Sequence, residues 1–250
     1  MKTKSIGLLD SGLGGYSFYH TLTKAFPEHS FVLIADQANA PLGEKPLEEL
    51  LIIGRNLINK FKAMGITTIL FGCNTLSATV LKQLQEENKD LELISIIDLT
   101  LSQVNRQSKG ILVFATSATI NQQAYSKALS KTHKNAWILE VATPKLVPLI
   151  EGLADDQDIE EALQEYFDKK SKVDTIILGC THYPLIKKNI EKFTQADQVD
   201  ALSGSVEYFR NFQDLPKGPS KVYTTLDGKR FAHQIKTLFG DEVEVGEIEL

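Results

Sequence analysis

Short apolar segments alternate with longer amphipathic segments along this chain, and this alternation constrains its fold more than any other feature of the sequence. The apolar segments are rich in Ile, Leu and Val and predict these strands: Ser5–Leu9, Phe31–Ala35, Thr68–Phe71, Glu92–Ile97, Gly110–Ala115, Ala136–Glu140 and Thr175–Leu178. The amphipathic segments predict these helices: Gly14–Phe26, Pro46–Met64, Thr75–Asn88, Asn121–Leu129 and Ile159–Lys170. Strands that are apolar throughout suit parallel sheets covered on both faces, so the pattern indicates a doubly wound α/β fold.

Two segments interrupt this alternation. Asp98–Gln107 separates two strand–helix series and is interpreted as a linker, and Pro216–Pro219 breaks the chain again near its end. The strand-like Lys221–Thr225, a helix near Asp227–Phe239 and the strand-like Val243–Glu249 then form a final unit.

The composition is that of an ordinary globular enzyme. The chain has 250 residues, a net charge of −5 and 42% hydrophobic residues. A mildly acidic chain has little general attraction for phosphate backbones, so nucleic acid is not the expected partner. No segment reaches the ~18 apolar residues of a membrane helix, and the first apolar run, interrupted by Asp10, is too short for a signal peptide. The protein is therefore expected in the cytoplasm, with both of its cysteines as free thiols.

Those two cysteines occur in an internal repeat. Ile69–Thr75 and Ile176–His182 each consist of an apolar run, then Gly-Cys, then polar residues that open a predicted helix, and Cys73 and Cys180 stand 107 positions apart. A second pair of matching strand ends, at Ser11 and Thr116, stands 105 positions apart. The repeat predicts two pseudo-symmetric doubly wound lobes. Open α/β sheets bind ligands at the carboxyl ends of their strands, so the active site is expected in the cleft between the lobes.

Two thiols that face each other across a cleft suit the inversion of an amino acid at its α-carbon. Inversion needs a base on one face of that carbon and an acid on the other, and a thiolate with a thiol meets this need. Cys73 and Cys180 each precede a predicted helix, whose free N–H groups favour a thiolate. Asp10 and His182 stand where they can assist one thiol each.

Other interpretations of these residues are open at this point. A single free cysteine most often packs in a core. Cys180 and His182 are also possible metal ligands, although Cys-x-His lacks the paired spacing of structural zinc sites, and no metal is expected. The glycine-rich turn Asp10–Gly15 can offer N–H groups to an anion, but it lacks the order of a dinucleotide or P-loop motif.

Short polar side chains stand at the other predicted strand ends. Each one alone is most often a helix cap, but together they suit a small, polar, doubly charged ligand. No organic cofactor is expected. The residues concerned are Asn74, Thr75, Thr116, Thr119 and Thr181.

Several motifs together resemble those of the bacterial glutamate racemases, in the aspartate/glutamate racemase superfamily. They follow one another in the family's order over nearly the full chain: Asp10–Gly15, Ala35-Asp36, Pro41-Leu42-Gly43, Cys73-Asn74-Thr75, Ala115–Thr119, Val147–Glu151, Gly179–Pro184 and the tail Thr224–Asp227. The resemblance implies a cofactor-independent racemase that interconverts L- and D-glutamate and supplies D-glutamate for peptidoglycan. It also implies one lobe of residues 1–97 and 206–250, a second of residues 98–205, and a homodimer.

The resemblance also implies roles for single residues. Cys73 and Cys180 are the two bases, and Asp10 and His182 assist them. The residues expected to bind or surround the substrate are Ser11, Pro41, Leu42, Gly43, Asn74, Thr75, Thr116, Thr119, Glu151 and Thr181.

The chain departs from the family pattern at Leu42, where the family usually has a tyrosine that lines the pocket. The departure removes a hydroxyl and a ring, which affects the choice of substrate or the rate. An aspartate or broader amino-acid racemase is therefore an alternative. A weakly active or inactive paralogue with a regulatory role is another, because some glutamate racemases inhibit DNA gyrase.

Overall fold

A computed structural model describes residues 3–167 and 172–250. The strands in these ranges are β1 (Ile6–Asp10), β2 (Phe31–Ala35), β3 (Thr68–Phe71), β4 (Glu92–Ser95), β5 (Gly110–Ala115), β6 (Trp137–Ala142), β7 (Thr175–Gly179), β8 (Asp197–Val199), β9 (Lys221–Thr224) and β10 (Val245–Glu247). The helices are α1 (Leu13–Ala25), α2 (Leu47–Ala63), α3 (Asn74–Thr79), α4 (Leu81–Glu87), α5 (Ile96–Ser102), α6 (Ser117–Asn121), α7 (Ala124–Thr132), α8 (Leu146–Glu151), α9 (Asp156–Tyr166), α10 (Lys187–Glu191), α11 (Ala201–Arg210) and α12 (Gly228–Phe239). A 3-10 helix, Tyr183–Ile186, precedes α10.

The strands form two fully parallel sheets, and the two sheets share one strand order. The first sheet runs β10-β9-β2-β1-β3-β4, and the second runs β6-β5-β7-β8. The order β2-β1-β3-β4 is therefore repeated as β6-β5-β7-β8, with the tail adding β9 and β10 to one edge of the first sheet. The predicted α/β fold with two related doubly wound lobes is confirmed.

Helices α5 and α11 connect the lobes. Each follows the last strand of its repeat, β4 or β8, and the two helices pack on each other. Gly204 of α11 makes this approach close, because a Cβ there would lie 2.5 Å from the carbonyl oxygen of Leu99 on α5. The predicted lobe boundaries, after residues 97 and 205, fall inside these two helices. The exact boundaries remain a prediction.

The structure corrects several predicted elements. The sequence predicts a linker at Asp98–Gln107, but α5 occupies its first half. Ser95 caps that helix by accepting a hydrogen bond from the N–H of Asp98. The predicted helix Thr75–Asn88 is two helices, because the β-branched pair Thr79-Val80 interrupts it. The last three residues of the predicted helix Ile159–Lys170 lie outside the described residues. Apolar periodicity does not predict β8, α6, α8, α10 or α11, which are short or lack a clear apolar period.

The helices in the described ranges include none that is both long and apolar enough to cross a membrane.

Candidate active site

The strand order brings four chain segments to one place. In an order such as β2-β1-β3, the chain changes direction between β1 and β3, and the crevice at that switch point is where such sheets bind ligands. Asp10 ends β1 and Cys73 follows β3, while Thr116 follows β5 and Cys180 follows β7. Both cysteines therefore stand at the switch points of their own sheets.

The two switch points face a common cavity of about 150 Å³. This is below the roughly 300–1,000 Å³ of pockets for drug-sized ligands, so the cavity suits a small molecule. Both lobes contribute to its lining: Ser11, Pro41, Leu42, Gly43, Glu44, Cys73, Asn74, Thr75, Thr116, Thr143, Pro144, Val147, Pro148, Cys180, Thr181 and His182. Most of the predicted site residues thus lie around one cavity. Asp10, Thr119 and Glu151 do not line it, but each contacts a residue that does.

Cys73 is buried at the N-terminus of α3. Burial and the negative charge of Asp10 raise the pKa of the Cys73 thiol, although the N–H groups of Leu76 and Thr75 act in the opposite direction. The N–H groups at the start of α3 favour a thiolate at Cys73, as expected from the sequence, but desolvation and the charge of Asp10 outweigh them. Cys73 is held as a protonated thiol.

Cys180 belongs to a different electrostatic setting. Its Sγ lies 3.6 Å from Nδ1 of His182, and Nε2 of the same ring lies 2.6 Å from Oε1 of Glu151. Burial alone would lower the pKa of His182, but its contacts with Cys180 and Glu151 raise it well above the usual value. For Glu151 the directions are reversed: burial alone would raise its pKa, but the contact with His182 lowers it. The three side chains form a hydrogen-bonded series, Cys180–His182–Glu151, in which the raised pKa of His182 and the lowered pKa of Glu151 describe an ion pair.

Asp10 ties the two lobes together beside Cys73. Its Oδ1 accepts hydrogen bonds from the N–H groups of Gly12 and Gly15, both at 2.9 Å, and its Oδ2 accepts one from Oγ1 of Thr181 at 3.0 Å. Complete burial raises the pKa of Asp10 in spite of the nearby His182 and these hydrogen bonds. Asp10 is thus a buried carboxyl group close to Cys73, as expected of a residue that assists this thiol.

The sequence suggests that the glycine-rich turn after Asp10 could offer its N–H groups to an anionic ligand, but in the structure they have partners within the protein. These N–H groups bind the protein's own carboxylates: the N–H of Leu13 donates to Oε1 of Glu151 at 2.8 Å. A Cβ on Gly12 would lie 2.1 Å from that oxygen, and a Cβ on Gly14 would lie 2.0 Å from Oγ1 of Thr181. The turn is rich in glycine because side chains of the second lobe approach its backbone closely.

Three threonine hydroxyls form a hydrogen-bonded series beside the cavity. Oγ1 of Thr116 lies 2.9 Å from that of Thr75 and 3.0 Å from that of Thr119. Thr116 also caps α6, so this residue has the helix-capping role that the sequence offered as the alternative to ligand binding. Asn74 is fixed by Tyr125, whose hydroxyl donates to Oδ1 of Asn74 at 2.5 Å. This series of hydroxyl groups joins the first lobe, through Thr75, to the second lobe.

The loop Pro41-Leu42-Gly43 closes the cavity from the first lobe. Buried Asp36 holds its base, accepting hydrogen bonds from Asn39 at 2.8 Å and from Thr225 of the tail at 2.7 Å. Leu42 is buried and packs in the apolar cluster that contains Cys73. At Gly43, the carbonyl oxygen accepts a hydrogen bond from the N–H of Ala118 in the second lobe at 3.1 Å. The motif Ala35-Asp36 therefore supports the loop.

Some cavity residues were not predicted as site residues. They are Glu44, Thr143, Pro144, Val147 and Pro148. The rule that ligands lie at strand ends would have found Thr143, which follows β6. Val147 and Pro148 lie on α8, in the motif Val147–Glu151, from which only Glu151 was predicted as a site residue; Glu44 and Pro144 come from loops that only the tertiary structure places. Buried Thr143 contacts the hydroxyl of Tyr183 at 2.5 Å and so supports the wall beside Cys180.

Comparisons with known proteins agree with this architecture. The family model described as Asp/Glu/Hydantoin racemase matches residues 6–207. The glutamate racemase of Carboxydothermus hydrogenoformans is 37% identical over 197 residues, which are 78% of this chain and 74% of that protein. The resemblance to glutamate racemases is thereby confirmed.

Solved structures extend the agreement to the whole chain. Glutamate racemase of Bacillus anthracis has a TM-score of 0.89 and 25% identity, and the alignment covers 100% of this chain and 99% of that one. Glutamate racemase of Francisella tularensis in complex with D-glutamate has a TM-score of 0.87 and 25% identity, with 100% and 98% covered. This chain belongs to the Asp/Glu/hydantoin racemase family.

Proposed function

We propose that this protein is a glutamate racemase that uses Cys73 and Cys180 as its two acid/base groups and needs no cofactor. One observation carries the proposal: the two cysteines follow equivalent strands of two related sheets and line the same small cavity. A thiolate and a thiol in this arrangement serve opposite faces of one carbon atom. The relatives named glutamate racemase, one of them solved with D-glutamate, support glutamate as the substrate.

The electrostatic asymmetry of the site favours one starting state. We assign Cys180, whose Sγ lies 3.6 Å from Nδ1 of His182, as the base, and Cys73, whose thiol has a raised pKa, as the acid. The Cys180 thiolate takes the α-proton of the substrate, whose C–H electron pair remains on the α-carbon. The Cys73 thiol then gives its proton to the opposite face. The enzyme is left with a thiol at Cys180 and a thiolate at Cys73, which is the state that catalyses the reverse inversion.

The cavity offers several hydroxyl groups and one side-chain amide for holding the substrate. Ser11, Asn74, Thr75, Thr116 and Thr181 line it, and we assign them to the carboxylates and the ammonium group. Thr119 acts through Thr116. Leu42 adds an apolar wall where a tyrosine would add a hydroxyl, so aspartate is the second substrate to test.

In the cell, the product would be D-glutamate for peptidoglycan synthesis. We further expect a homodimer. Leu47 and Ile52, both on α2, support this expectation because their side chains are 52% and 56% exposed. Light scattering coupled to gel filtration measures the oligomeric state directly.

The test of the function is racemisation by the purified protein without added metal or pyridoxal phosphate. L-Glutamate and L-aspartate are incubated in parallel, and circular dichroism follows the loss of optical activity. Loss with glutamate alone is the expected result. Loss with aspartate alone would keep the mechanism and change the substrate. No loss with either would reject the proposal and favour a binding or regulatory role for this scaffold.

A further inference from the structure

We propose that Gln234, on helix α12, is a positioning residue: it binds Glu151 and thereby holds His182 against Cys180. This inference rests on the proposed racemase function. Gln234 belongs to the tail that completes the first lobe, whereas Glu151, His182 and Cys180 belong to the second. None of the sequence motifs singles out Gln234.

Gln234 makes a specific contact with the end of α8. It is 2% exposed, and its Nε2 donates to the carbonyl oxygen of Glu151 at 2.7 Å and approaches Oε2 of the same residue at 3.5 Å. The last carbonyl groups of a helix lack partners within that helix. Glu151 is the last residue of α8, so the side chain of Gln234 supplies the missing donor and fixes the backbone that carries this carboxylate.

A second glutamine orients the first. Nε2 of Gln37 donates to Oε1 of Gln234 at 3.1 Å and approaches Oε2 of Glu151 at 3.4 Å. Oε1 of Gln37 in turn accepts a hydrogen bond from Oγ1 of buried Thr224 at 3.1 Å. The donors all point the same way, from Thr224 through Gln37 and Gln234 to Glu151. The first lobe thus supplies a series of amide hydrogen bonds that ends on Glu151, the residue that accepts a hydrogen bond from His182.

The position of Glu151 matters because its Oε1 lies 2.6 Å from Nε2 of His182. The ionisable groups facing His182 are Cys180, Glu151 and Asp10. Arg230, also on α12, lines the adjoining cavity with Glu151. Without the Gln234 contact, Glu151 would be held only by the N–H of Leu13 and by Gln37, and its hydrogen bond to His182 would be less well fixed. The imidazolium would then be less favoured, and its pKa would fall.

The experiment compares Gln234→Met, which keeps the chain length and removes the amide, with the wild-type protein. We expect kcat to fall on the order of 10-fold, KM to change little, and the alkaline limb of the pH–rate profile to move to lower pH. NMR titration of the His182 imidazole should show the same downward shift without any turnover. Gln198→Met is the matched control, since that glutamine donates to the carbonyl oxygen of Lys187 and lines no catalytic cavity; it should leave rates and titration unchanged.

A double substitution separates positioning from general destabilisation. In a Glu151→Gln background, adding Gln234→Met should have little further effect on kcat, because the two residues act as one unit. Fully additive losses, or an unchanged His182 titration in Gln234→Met, would overturn the inference. If Gln234→Met does not fold, Gln37→Met tests the same series of amide hydrogen bonds. The pKa of His182 should then also fall, but by less. Absence of racemisation by the wild type would reject the proposed function, whereas the His182 titration tests this inference independently.

Discussion

Thr181 donates a hydrogen bond to Asp10 across the interface between the two lobes, at 3.0 Å. Thr181 follows Cys180 directly, and the charge of Asp10 acts on Cys73. One contact therefore couples the surroundings of both thiols. The relative position of the lobes is part of the chemistry, because each half of the site is incomplete without a side chain from the other half.

The first prediction concerns the cysteines. Cys73→Ser and Cys180→Ser should each abolish racemisation, because loss of either group removes the acid or the base from one face of the α-carbon. General acid–base groups contribute roughly 10²–10⁴-fold, so we expect a loss in that range, measured by circular dichroism from both enantiomers. Each variant should still eliminate a leaving group from one enantiomer of a suitable analogue, since one base survives. Full two-way activity in either variant would refute the two-base assignment.

The second prediction concerns Asp10, whose replacement should lower the rate of racemisation and also lower the pKa of the Cys73 thiol. Asp10→Asn removes a negative charge that raises the pKa of Cys73, so this pKa should fall while racemisation falls on the order of 10²-fold. Alkylation of Cys73 by iodoacetamide, measured in a Cys180→Ser background, should be faster at neutral pH in the Asp10→Asn variant. An unchanged alkylation rate would show that Asp10 does not act on Cys73.

The third prediction concerns Leu42. Leu42→Tyr adds a hydroxyl group to the cavity wall, and a hydrogen bond contributes about 1 kcal/mol. We therefore expect KM for glutamate to fall about 5-fold, with a smaller change for aspartate. Leu42→Phe is the control, since it adds the ring without the hydroxyl. An equal gain in both variants would attribute the effect to packing, and a loss in both would indicate overfilling of the cavity.

The fourth prediction concerns stability and pH. The pKa of His182 is raised above its usual 6.5 and that of Glu151 is lowered below its usual 4.5. The pair therefore stabilises the folded state fully between these two usual values. Its contribution is lost as the pH rises through the raised pKa of His182 and as it falls through the lowered pKa of Glu151. The difference in Tm between wild type and Glu151→Gln should thus be largest between about pH 5 and 6. A difference that does not vary with pH would mean that the pair is not ionised.

Much of the fold could be predicted from the sequence alone. The strands β2, β3 and β5 begin and end where the apolar runs predicted, because strands buried on both faces carry apolar side chains at every position. The repeated Gly-Cys after an apolar run revealed the duplication, since both copies keep the same residues at equivalent strand ends. Short elements such as β8 and α8 were missed, because a few residues do not establish a period.

The sequence by itself determined which residues carry the chemistry: two thiols in matched settings, with Asp10 and His182 beside them. Only the tertiary structure decided their electrostatic state and their partners. Helix position favoured a thiolate at Cys73, yet burial next to Asp10 raises its pKa. Gln234 reaches Glu151 from a distant part of the chain. Local sequence fixes which groups are present and their place on a strand or helix. Desolvation and contacts between lobes depend on how distant segments pack, so no local pattern encodes them.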